Sequence, residues 1–261
     1  DWVGIGLVYP QFSSMIYHSD SSFLASGTSD AARGIVLGLL LGITSISEFI
    51  FAPILGILSD NYGRKKVMVS SIICGIAGYL LSVVAALETS IGLFLVSRVV
   101  IGVFSSSAGV YSAAIADMSL PNEKAKNFAI YSMMSGIGFA LGPFLAGILA
   151  KFQFGYSVPF LCAAFLTICN LIVIALYFSE THAPREKARL REAYSYFNIK
   201  KLLSYRGLRA VFLSIFLVVF GWSLYWEFMP VSRIAEYGFT VQELGALYTY
   251  EALFYVVSCG F

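Results

Sequence analysis

The sequence has 261 residues, of which 58% are hydrophobic and 12% charged, with a formal net charge of +2 and a mean hydropathy of +0.80. A soluble domain carries about 25% charged residues and about 45–50% apolar ones, so this chain lacks the polar side chains needed to cover a water-facing surface. A soluble enzyme is thereby excluded.

A helix crossing the hydrocarbon core of a bilayer needs roughly 20 apolar residues. Eight such runs follow one another along the chain, at 1–17, 34–58, 67–87, 90–116, 127–150, 156–178, 208–230 and 240–261. The runs are long and continuous and lack the alternation of a membrane barrel, so the expected fold is an all-α polytopic membrane bundle. Glycine suits it: the 23 glycines are spread through the apolar runs, where small residues let helix backbones approach closely.

Taken in order, the first run opens Asp1-Trp2-Val3-Gly4-Ile5-Gly6-Leu7-Val8-Tyr9-Pro10. The second carries Glu48, twelve residues before Asp60, which puts it ~18 Å from the end of its helix. The connection to the third run reads Gly56-Ile57-Leu58-Ser59-Asp60-Asn61-Tyr62-Gly63-Arg64-Lys65-Lys66. Gly63 suits a tight turn there, and Asp60 can accept from basic groups or cap the next helix.

The fourth run carries Arg98 about ten residues from its start, hence ~15 Å deep. A central arginine costs at least ~2.5 kcal/mol and normally faces the bundle interior beside a partner. Asp117 closes this run. The fifth run contains Gly138-Phe139-Ala140-Leu141-Gly142-Pro143-Phe144-Leu145-Ala146-Gly147. Its glycines offer a smooth packing face, and Pro143 removes a backbone bond and bends the helix.

Beyond the sixth run, residues 179–207 form a long charged connection, read as a solvated linker or a short amphipathic surface helix. The seventh run carries Glu227 beside Trp222, Tyr225 and Trp226, an aromatic belt at an interface. The eighth carries Glu251. Both chain ends lie inside apolar runs, so the sequence reads as a piece of a longer protein.

The basic residues divide unevenly. Connections 2–3, 4–5 and 6–7, with Arg209 just beyond the last, hold 13 of the 17 Lys and Arg, against 3 in the opposite connections and Arg98 inside a span. The positive-inside rule places the richer set in the cytoplasm. The four cysteines lie in apolar runs without metal-ligand spacing. Neither a metal nor a cofactor is expected, and no Walker-type phosphate loop is present.

Several of these stretches resemble the motifs of one family. Gly56 through Lys66 resembles the signature loop of the major facilitator superfamily, Gly-x-Leu-x-Asp-(Arg/Lys)-x-Gly-Arg-(Arg/Lys), with Asn61 in place of a basic residue. Arg98-x-x-Ile101-Gly102 resembles its Arg-x-x-Gln-Gly motif, with Ile101 replacing Gln. Gly138 to Gly147 resembles the antiporter motif Gly-x-x-x-Gly-Pro-x-x-Gly-Gly, with Ala146 for one glycine. The opening helix resembles that of twelve-helix drug–proton antiporters, especially tetracycline–proton exchangers.

The resemblance implies a 6 + 6 helix plan. Residues 1–178 would be the N-terminal half, 179–207 the cytoplasmic linker and 208–261 the start of the C-terminal half, with about four further helices outside this chain. It also implies a proton-coupled secondary transporter, exporting an amphipathic organic compound in exchange for protons. A symporter or uniporter of a nutrient is the alternative. Expected partners are a small-molecule substrate, protons and the bilayer, with no nucleic acid, and the protein is expected to work as a monomer.

Ionisable groups within spans are rare, and each is a candidate site residue. Asp1, Glu48, Arg98, Glu227 and Glu251 are the candidates for proton or substrate binding. The resemblance adds Gly56, Asp60, Gly63, Arg64 and Asp117 as a charge-linked lock, and Gly138, Gly142, Pro143 and Gly147 as a hinge and seal between halves.

Overall fold

The computed structural model of the protein describes residues 2–17, 23–25, 27–150, 155–181 and 206–260. Among them the regular elements are α1 (Trp2–Tyr17), α2 (Asp30–Tyr62), α3 (Arg64–Leu87), α4 (Ile91–Ser105), α5 (Ala108–Met118), α6 (Lys124–Ala150), α7 (Ser157–Tyr177), α8 (Arg206–Tyr237) and α9 (Val241–Gly260). Each expected span corresponds to a helix, except that the fourth is divided between α4 and α5. Among the described residues six stretches, from Asp30–Tyr62 to Leu208–Ile234, are long and apolar enough to cross a membrane.

Local chemistry sets the ends. The Ser29 side chain accepts from the Ala32 N–H at 3.3 Å and starts α2, while Ser90 does the same for α4 through Leu93 at 3.4 Å. Helix α2 runs past both expected limits and ends at Gly63, whose φ of 100° only glycine adopts without strain. The break between α4 and α5 falls on two serines. Ser106 and Ser107 hydroxyls donate to the carbonyls of Val103 and Phe104 at 2.6 and 2.7 Å, offering the backbone an alternative to a continuous ladder.

The bundle is apolar on both sides. Large hydrophobics from Leu208 to Phe228 stand exposed along α8, as a lipid-facing surface permits. Inside, Phe12, Phe94 and Phe160 meet with ring centroids 5.4–5.8 Å apart. Buried hydroxyls must find partners in such a medium, and several use their own helices. Ser71 donates to Met68 O at 2.8 Å and Thr167 to Ala163 O at 2.8 Å. Helix α6 packs mainly on α1 and α9, α3 on α4 and α7, and α2 on α4.

Candidate functional site

A cavity of about 380 Å³ lies among the helices of the first six spans. Its walls come from α1 (Trp2, Ile5, Val8, Phe12), α2 (Leu40, Thr44, Glu48), α3 (Tyr79), α4 (Arg98, Ile101, Phe104), α5 (Tyr111), α6 (Tyr131) and α7 (Asn170). The lining is largely apolar and aromatic with a few polar groups, the usual make-up of a site for an organic ligand.

Two of the candidate residues meet in this cavity. Glu48 is half-buried and Arg98 is 5% exposed. The Ser47 hydroxyl donates to Val99 O at 2.8 Å, so the neighbours of Glu48 and Arg98 are tied together and the two charges sit at one level. A methyl on Gly102 would fall 2.5 Å from Thr44 O; only glycine lets α2 and α4 come this close.

Arg98 is held by neutral groups. Its Nη2 donates to Ser82 Oγ at 2.6 Å and its Nε to Ser97 Oγ at 3.5 Å. Its Cζ lies 4.9 Å from the Phe12 ring centroid and 5.8 Å from that of Phe160. No ion pair joins Arg98 or Glu48 to a charged group among the described residues. Among the described residues, two hydroxyls and two aromatic faces stand where a buried arginine ordinarily has a carboxylate partner.

A second cluster occupies the Gly63 end of the bundle. Arg64 Nη1 lies 2.6 Å from Asp60 Oδ1 and its Nε 3.2 Å from Asp117 Oδ2, and Nη1 also donates to Ser59 Oγ. Glu180, a residue the sequence did not single out, completes it. Its carboxylate accepts from the backbone N–H groups of Arg64 at 2.8 Å and Lys65 at 3.2 Å, a negative charge on the N-terminus of α3. Lys65 Nζ donates to Ala175 O at 2.9 Å. Helices α2, α3, α5 and the end of α7 are thus joined at one point. Gly56 contributes its carbonyl, which accepts from Ser59 Oγ at 2.7 Å.

The glycine stretch of α6 serves two neighbours. Gly138 and Gly142 face α1, where a methyl on Gly142 would fall 2.6 Å from the Gly6 backbone. Gly147 and the Pro143 carbonyl face α9, where a methyl on Gly245 would fall 2.5 Å from Pro143 O. The partner glycines Gly6 and Gly245 carry no spacing signal that links them to α6.

Of the remaining proton- or substrate-binding candidates, Glu251 is described and is not on the cavity lining. Asp1 lies outside the described residues, as do the side chain of Glu227 and residues 182–205 of the connection. Glu251 accepts from Tyr225 OH at 2.8 Å. Trp226 turns toward the bundle rather than the lipid: its ring lies 4.8 Å from Tyr248 and 5.3 Å from Phe139, which in turn lies 6.4 Å from Trp2 on the cavity wall. Trp222 and Tyr225 remain exposed.

The helices, their apolar outer surface and the cavity with buried charged groups inside define an integral, multi-pass membrane protein with an all-α fold. The family model of the Major Facilitator Superfamily matches residues 3–261, and the chain belongs to that superfamily. It is 32% identical to Tetracycline resistance protein, class C, of Escherichia coli, over 70% of this chain and 43% of that protein. It is 27% identical to Multidrug resistance protein 2 of Bacillus subtilis (strain 168), over 98% of this chain and 61% of that one. The chain thus spans about half the length of the curated relatives it matches. The crystal structure of the human organic anion transporter MFSD10 (TETRAN) superimposes with a TM-score of 0.74 at 20% identity, covering 100% of this chain and 68% of that one, a likeness of fold.

Proposed function

We propose that the protein is a proton-coupled secondary transporter that exports an amphipathic organic compound in exchange for protons by alternating access. The observation that carries this reading is the cavity holding Glu48 and Arg98 at one depth with no ion pair between them. A structural scaffold has no use for two such costly groups. Glu48, a carboxylate on the wall of a cavity, can hold a proton in one orientation of the bundle and release it in the other. The relatives named for tetracycline and multidrug resistance support export of an organic compound.

The other motifs take supporting roles in this reading. Arg64, Asp60, Asp117 and Glu180 lock one end of the bundle, which lies in the cytoplasm together with the 2–3, 4–5 and 6–7 connections. Pro143 and Gly147, which face α9, form the seam along which residues 1–178 move against residues 208–261, with 179–207 as the linker, while Gly138 and Gly142 seat α6 on α1 within the first half. Asp1, Glu227 and Glu251 are further stations for protons or cationic groups, and one copy suffices.

The test uses the complete gene product in sealed proteoliposomes with an imposed proton gradient and a panel of lipophilic cations, anions and neutral drugs. Substrate should move against the proton flux, and Glu48→Gln should abolish gradient-driven transport while the protein still inserts. Co-directional movement of substrate and protons would replace the exporter by a symporter. Full transport by Glu48→Gln would remove Glu48 from the mechanism.

A further inference from the structure

The cavity presents two opposite charges that do not neutralise each other. Arg98 is 5% exposed and makes no ion pair among the described residues. The contrast with Arg64 is instructive: that side chain, at the end of the bundle, has two carboxylates within 3.2 Å. Among the described residues the deeper arginine donates only to the Ser82 and Ser97 hydroxyls. Hydroxyls satisfy N–H donors but leave the charge uncompensated, which is costly away from water.

The guanidinium is nonetheless held in a set direction. Phe12 and Phe160 lie against it at 4.9 and 5.8 Å, and Ser82 fixes Nη2 at 2.6 Å, while no hydrogen bond among the described residues engages Nη1. A planar fork so oriented is suited to a carboxylate or sulfonate. Glu48 is the mirror case: a half-buried carboxylate on the same cavity, at the same level, with no ion pair among the described residues.

From this geometry we infer that the transported compound is an amphipathic zwitterion, its anionic head on Arg98, its cationic group on Glu48 and its aromatic or aliphatic body against Val8, Leu40, Ile101 and Phe104. The inference rests on the proposal that this cavity is the transport site, and it names the substrate class of that site. It also accounts for exchange. A cationic group occupies Glu48 only when no proton does, so substrate and proton compete for one carboxylate, while Arg98 holds the substrate's other end in both events. A purely anionic substrate would be repelled by ionised Glu48 and would travel with a proton instead of against one.

The test is equilibrium binding to the purified complete gene product in detergent near neutral pH, with three ring-matched probes. These are 2-naphthylalanine, which carries both charges, its methyl ester, which is only cationic, and its N-acetyl derivative, which is only anionic. The free amino acid should bind about tenfold or more tighter than either derivative, the size expected for one charge-assisted contact. Arg98→Gln should erase its advantage over the ester, and Glu48→Gln its advantage over the N-acetyl form. An ester or N-acetyl form binding as well as the parent overturns the inference, as does the absence of binding by all three. Should Arg98→Gln fail to fold, the ranking in the unsubstituted protein decides by itself. No gradient is involved, so a failure here leaves proton-driven export standing. Conversely, the ranking could hold in a protein that exchanges no protons.

Discussion

Arg64 Nε donates to Asp117 Oδ2 at 3.2 Å, joining the first residue of α3 to the last turn of α5 across 53 residues of sequence. The Arg64 side chain is 9% exposed and Asp117 30%, so this contact is better shielded than an ordinary surface pair. Removing one partner of such a contact leaves the other poorly compensated.

Asp117→Asn should therefore loosen the Gly63 end. The change is on the order of 1–2 kcal/mol, a shift of about 5–30-fold in the open population. Ala114, which is 2% exposed beneath the loop beside Val67 and Met68, gives a reporter. In a background without the four native cysteines, an Ala114→Cys thiol should react with a water-soluble maleimide several-fold faster when Asp117→Asn is added. An unchanged rate would show that Asp117 does not hold this end closed.

Glu180 should behave as a helix cap. Its carboxylate receives the first two N–H groups of α3, a contribution of about 1 kcal/mol. Glu180→Ala should lower the melting temperature in detergent. Glu180→Gln, which keeps an acceptor oxygen and loses the charge, should lower it less. Equal effects would mean that the negative charge carries the contribution and that the packing and the neutral acceptor of the side chain do not.

The α1–α6 crossing depends on the absence of side chains. Gly142→Ala would set a methyl 2.6 Å from the Gly6 backbone, forcing the helices apart at about 1–3 kcal/mol. Gly42→Ala is the control, because nothing lies within 4 Å of the added methyl; it should be neutral or stabilise by about 0.5–1 kcal/mol. Thermal unfolding of both variants checks the contrast, and a Gly142→Ala protein as stable as the parent would refute close contact.

Two serines of α3 allow a similar comparison. Ser82 is the acceptor 2.6 Å from Arg98 Nη2, whereas Ser71 bonds only to its own helix at Met68 O. Ser82→Ala strands a buried guanidinium donor and should cost about 1–3 kcal/mol. Ser71→Ala removes donor and need together and should cost well under ~1 kcal/mol. Both are read by thermal unfolding, and equal losses would argue against the Ser82 contact.

Counting residues along apolar runs was enough to set Glu48 and Arg98 at comparable depth, because a helix rises ~1.5 Å per residue whatever surrounds it. The Ser47–Val99 hydrogen bond shows the same relation in three dimensions. What escaped the count was the company these residues keep. An arginine in a span leads one to look for a carboxylate, yet Arg98 lies on Ser82, Ser97, Phe12 and Phe160, residue types too common in such spans to stand out. Likewise the inward turn of Trp226 toward Phe139 and Tyr248 could not be told from a lipid-facing belt.

The sequence by itself determined the membrane helices, their order and the Gly63 turn. Hydrocarbon demands long apolar runs with internally satisfied backbones, and the turn's backbone conformation demands glycine; both demands are written locally. Only the tertiary structure decided that Glu180 caps α3, that Gly6 and Gly245 are the partners of the α6 glycines, and that Glu48 and Arg98 share a cavity without pairing. These are relations between residues far apart in the chain, set by how helices rotate and cross, and no periodicity within one helix encodes them.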